Sequence, residues 1–129
     1  AQVFKLVSST ALKGYLLAEI DYANLVFQGH GVEKNESIAA MWLLNSANKG
    51  NAYAFNKLSR LYWFGRGVKK DRIESGKWYL LSKASGVRDE KLKQLVAELN
   101  DKEKKQAEKR AKTWRDQFKK KMQTSRASK

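Results

Sequence analysis

Tyr62-Trp63-Phe64-Gly65-Arg66-Gly67-Val68-Lys69-Lys70-Asp71, followed by Trp78 and Ala84-Ser85-Gly86, decides the fold. Thirty-six positions earlier the chain reads Val26-Phe27-Gln28-Gly29-His30-Gly31-Val32-Glu33-Lys34-Asn35, with Trp42 and Gly50 behind it. The two align without a gap: Gly29 meets Gly65, Gly31 meets Gly67, Val32 meets Val68, Trp42 meets Trp78 and Gly50 meets Gly86. A repeat of this period is a supersecondary unit that cannot bury its apolar face alone and stacks on its neighbours.

The flanks of each glycine pair carry a helical stripe, with apolar residues three or four apart. Leu17, Ala18, Tyr22, Leu25 and Val26 share a face of a helix over 15–28, and Ala39, Trp42, Leu43 and Ala47 share one over 36–49. The second copy gives Ala54, Leu58, Leu61 and Tyr62 over 52–64, then Ile73, Trp78, Leu81 and Ala84 over 72–85. Asn35 and Asp71 stand where a side-chain oxygen caps the next helix, and Gly50 and Gly86 stop it. Working outward, Ala11-Leu12-Lys13-Gly14 falls in register with Ala47-Asn48-Lys49-Gly50, so residues 1–14 read as the second helix of a preceding unit that Gly14 ends.

After Gly86 the loop is lost. A helix from about Asp89 to Leu99 carries Leu92, Leu95, Val96 and Leu99, and the glycine positions become Asp101 and Glu103. Asn100 or Asp101 caps a closing helix with Ala107, Ala111, Trp114, Phe118 and Met122 on one stripe, and Trp114 keeps the thirty-six-residue register of Trp78. The expected organisation is one all-α domain over 1–122, a short α-solenoid of antiparallel helix pairs. It comprises a half-repeat (1–14), two repeats (15–50 and 51–86), a degenerate closing repeat (87–122) and a disordered basic tail (123–129).

These residues resemble the Sel-one-like repeats (SLR), relatives of the tetratricopeptide repeat. Ala54, Leu58, Leu61, Tyr62, Gly65, Gly67, Val68, Asp71, Trp78, Ala84 and Gly86 match the family pattern, as do Ala18, Leu25, Gly29, Gly31, Val32, Trp42, Ala47 and Gly50 in the first copy. That copy departs with Tyr22 for leucine, Val26 for tyrosine and Asn35 for aspartate, costing a core tyrosine and a cap. Ala107, Ala111 and Trp114 also look like the closing helix of many bacterial members. The resemblance implies a concave groove, adaptor or assembly roles without a shared catalytic site, and export to the bacterial periplasm more often than retention in the cytoplasm. The chain opens on Ala1, the end that a cleaved export signal or a trimmed boundary would leave.

Composition narrows the chemistry. With no cysteine and a single histidine, thiolate metal sites, multi-histidine sites and a serine–histidine triad have no ligands or base to draw on, and neither cofactor nor metal is expected. His30 and Arg66 occupy the same place in successive loops, which marks an exposed position tolerant of polar side chains. The Gly-x-Gly loops lack the strand–loop–helix setting of nucleotide fingerprints and read as interhelical turns. Asp89-Glu90 opens a helix, where the macrodipole accounts for it.

Two surfaces remain as candidates. Asn24 aligns with Arg60 and Phe27 with Trp63, on the face beside the core that lines the groove in helix-pair solenoids; an exposed aromatic next to an arginine has the composition of an interface hot spot. These four are the expected partner-binding residues, the alternative being that Phe27 and Trp63 pack between repeats. The second surface is basic. Residues 100–129 hold 12 Lys/Arg against 4 Asp/Glu, an excess of +8 in a chain of net charge +14. Lys119, Lys120, Lys121 and Arg115 could there bind nucleic acid or an anionic surface. The leading expectation is a non-enzymatic module that binds a peptide or protein surface in its groove.

Overall fold

The computed structural model describes the chain over residues 12–29 and 35–127. Residues 1–11 of the expected half-repeat (1–14) and the His30-Gly31-Val32 part of the first loop lie outside the described residues. Six helices follow one another: α1 (Leu12–Gln28), α2 (Glu36–Asn48), α3 (Ala52–Phe64), α4 (Arg72–Ala84), α5 (Glu90–Val96) and α6 (Asp101–Ala127), with no strand among the described residues. α1 packs on α2 and α3 on α4, the two pairs stack through α2 and α3, and α6 lies along α4.

The loops repeat at the level of single backbone bonds. Asp71 N–H donates to the Tyr62 carbonyl at 3.0 Å, and thirty-six residues earlier Asn35 N–H donates to the Val26 carbonyl at 2.8 Å. Gly65 leaves α3 in the left-handed region (φ 68°) with its N–H on the Leu61 carbonyl. Gly67 (φ 75°) is held against α2 so closely that an added Cβ would lie 2.3 Å from the Glu36 carbonyl oxygen. The Gly-x-Gly pair is therefore a turn pressed onto the neighbouring repeat, and only glycine combines that φ with that approach.

Capping follows the sequence. Asn35 accepts from Ile38 N–H at 2.9 Å, as Asp71 does from Glu74 N–H and Asp89 from Leu92 N–H. Asn35 thus caps as Asp71 does, and its departure from the family pattern costs no cap. Asn100 and Glu103 bond each other's backbone N–H at 2.8 and 3.0 Å, a reciprocal box that starts α6.

The main core gathers Ile20, Ala23, Leu43, Phe55, Leu58, Leu61, Trp78 and Ala111 among others. Trp78, 1% exposed, stacks on Phe55 with ring centroids 5.6 Å apart, and Trp114 meets both rings edge-on at 5.2 and 6.1 Å. Phe118 stacks on Trp114 at 5.0 Å. This column ties α6 to both α3 and α4, with about 0.5–1.5 kcal/mol for each aromatic pair beyond area burial. Trp114 also donates from Nε1 to Asn48 Oδ1 at 3.0 Å, which anchors α6 to the end of α2.

Four expectations are corrected. Gly14 lies inside α1 and ends no helix. Tyr22 and Leu25 are 40% and 44% exposed, not core, and Tyr22 instead packs edge-on against Trp42. Their equivalents Leu58 and Leu61 are buried in the main core together with Ile20, Ala23, Ala40 and Leu43. Ala84 is exposed at the end of α4. Finally, α6 continues as helix to Ala127, so residues 123–127 are not a disordered tail.

Candidate functional site

The groove between α1 and α3 is built by side chains that the core leaves over. Asn24 and Phe27 come from α1, Arg60 and Phe64 from α3, and together with Leu43, Lys57, Leu61 and Arg66 they enclose about 320 Å³. Buried Leu43 and Leu61 make the floor. Asn24, Phe27 and Arg60, aligned in the sequence, are thus brought to one place.

Charge in the groove is partly committed. Arg66 spans the two repeats, donating to Glu36 at 2.8 and 3.2 Å, while its guanidinium lies 4.8 Å from the Phe27 ring centroid. Arg60 reaches the opposite way to Asp89, at 2.6 Å from one guanidinium nitrogen and 2.8 Å from Nε. Asn56 joins it at 2.9 Å. Burial disfavours the Asp89 carboxylate, yet the hydrogen bonds from Asn56, Leu92 N–H and Arg60, with the Arg60 charge, outweigh it and hold the carboxyl below the usual aspartate range. Arg60 therefore joins α3 to the start of α5 as well as walling the groove. The side chains of Asn24 and Lys57 form no hydrogen bond or ion pair among the described residues, leaving them available to an occupant.

Trp63 is not in this groove. It is 8% exposed, packed against Tyr79, Leu92, Val96 and Leu99, with the Arg72 guanidinium 4.6 Å from its ring centroid. The reason is local: α5 and Arg72 cover Trp63, whereas its equivalent Phe27 has Arg66 on its face. The aromatic that the groove presents instead is the next residue, Phe64, 53% exposed. Sequence reasoning missed it because Phe64 aligns with Gln28 and so falls outside the repeated aromatic register. Its signal was its place as the last helical residue before Gly65, where a large apolar side chain has little core to enter.

The basic candidates lie at the other end. Arg115, Lys119, Lys120 and Lys121 are all exposed on α6. Three consecutive lysines span about 200° of a helix at 100° per residue, so Lys119, Lys120 and Lys121 do not form one face. Among the described residues no group of acidic or histidine side chains could hold a metal, and no helix is long and apolar enough to cross a membrane.

Comparison with known proteins agrees with this architecture. Residues 16–51 and 52–87 each match the Sel1 repeat, and the chain belongs to that family. A protective antigen of uropathogenic Escherichia coli displaying an SLR fold superposes with a TM-score of 0.68 at 26% identity, over 84% of this chain and 24% of that one. A Sel1 repeat protein from Oxalobacter formigenes gives 0.60 at 30% identity, over 87% of this chain and 49% of the other. The chain thus spans a quarter to a half of these relatives. Sel1 repeats are generally protein–protein interaction modules without catalytic activity.

Proposed function

We propose that this chain is a non-enzymatic adaptor or scaffold that takes a peptide or protein surface into the groove between α1 and α3. The observation that carries the reading is exposed Phe64 beside the unpaired Lys57 and Asn24, over a floor of Leu43 and Leu61. An aromatic anchor next to unpaired polar groups on a stiff scaffold offers contact area at a low ordering cost. Arg66 and Arg60 fix the walls before any partner arrives. The basic stretch of α6 gives a weaker alternative, an anion-binding surface, since its lysines point around the helix.

Partner capture from the native cell tests the choice, using wild type, Phe64→Ala with Lys57→Ala, and a variant with Lys119, Lys120 and Lys121 all changed to Gln. Groove binding is lost in the first variant, kept in the second and changes little between low and moderate salt. Retention by the groove variant, with loss in the lysine variant and a steep fall with salt, would place the function on α6.

A further inference from the structure

α5 is a short helix, and a cavity lies beside its end. Thirty-six residues on from α3, a full-length helix would end at Asn100, but α5 ends at Val96 and the chain turns through Ala97 to start α6 at Asp101. Beside this end there is a cavity of about 230 Å³ between α4, α5 and α6. Tyr79 and Leu80 of α4, Val96 at the end of α5, Leu99 in the turn that follows, and Ala107 of α6 form its apolar floor. Lys83 of α4, Lys93 of α5 and Lys104 of α6 stand around it, three cations from three helices. All three are exposed and none forms an ion pair among the described residues. Glu108 is the single carboxylate of the lining, so the surround carries a net +2.

We infer that this cavity is a second docking site, separate from the groove, for an acidic peptide segment that inserts one apolar side chain between the three lysines. Its size selects the occupant. Pockets for whole small molecules run from about 300 Å³ upward, whereas this one suits a single leucine-sized knob. Charge selects the rest: unpaired lysines around an apolar floor favour carboxylates flanking the inserted residue and repel a basic segment. The site does not depend on the groove reading, because the two share no residue.

The test is amide NMR titration of the intact chain with three pentapeptides: leucine between two glutamates, serine between two glutamates, and leucine between two lysines. The first should shift Tyr79, Val96 and Ala107 at least tenfold more tightly than either of the others. Lys83→Glu with Lys93→Glu should weaken it tenfold or more, and Ala97→Phe, at an exposed lining residue, should block it by filling the cavity. Folding of each variant is read from the same spectra. Shifts confined to the α1–α3 groove, equal binding of the serine peptide, or undiminished binding by the charge variant would each overturn the site.

Discussion

Ser59 of α3 and Ser75 of α4, both fully buried, each donate a hydroxyl hydrogen bond to the other's backbone carbonyl at 2.7 Å, with the two hydroxyl oxygens 3.1 Å apart. Small residues let the two backbones approach, and the hydroxyls satisfy each other where water cannot reach. Ala23 and Ala39 hold the equivalent places in the first repeat, also fully buried. Ala111 then continues the register of Ser75 on α6.

This pair gives a near-additive prediction. Ser59→Ala or Ser75→Ala removes one hydroxyl hydrogen bond and leaves the other, because its acceptor is a backbone carbonyl that alanine keeps; each should cost about 1 kcal/mol. The double alanine variant reproduces the first repeat and should cost about the sum of the two singles. A denaturant-unfolding cycle reads both terms, and single variants as stable as wild type would rule out these bonds as a source of stability.

Gly67 and Gly86 both have positive φ, but their surroundings differ. Gly67→Ala meets the Glu36 carbonyl at 2.3 Å, whereas Gly86→Ala meets nothing within 4 Å. Backbone strain of about 1–2 kcal/mol applies to both. The additional clash should make Gly67→Ala clearly the worse in thermal unfolding.

Asp89 sets a pH dependence for the docking of α5. Its folded carboxyl titrates below the roughly 3.9 of an unfolded aspartate. The folded state therefore binds fewer protons, so this stabilisation is complete above about pH 5 and is lost as pH falls through the folded value. Hydrogen exchange should show α5 opening before the α3–α4 pair on acidification. Asp89→Asn should weaken α5 at neutral pH already and make its opening insensitive to acidification.

α6 divides at Phe118. Trp114→Ala breaks three ring contacts and the bond to Asn48, and should cost about 3 kcal/mol in chemical unfolding. Changing Lys119, Lys120 and Lys121 to Gln, on exposed helix, should shift stability by less than about 0.5 kcal/mol.

The paired glycines, caps and tryptophans were legible because each answers to a local demand: a positive φ, an unsatisfied N–H, or a wedge at fixed register. The places where the reading failed answer to neighbours instead. Tyr22 and Leu25 fit a core stripe as well as Leu58 and Leu61 do, and only the residues packed around them decide burial. Trp63 and Phe27 share a register, yet α5 covers one and Arg66 the other. Leu92, Leu95, Val96 and Leu99 continue a helical spacing although the helix stops at Val96, because Leu99 reaches the same core from the turn that follows. Gly14 sits within a helix, since glycine permits a left-handed stop without compelling one.

The most direct measurement of the groove reading is site-specific photo-crosslinking in the native cell, with the reactive side chain placed at Phe64 in one variant and at Lys120 in another. The groove account predicts a discrete protein adduct from position 64, reduced when Lys57 and Asn24 are changed to alanine, and none from position 120. A discrete adduct from position 120 with none from position 64 would contradict it.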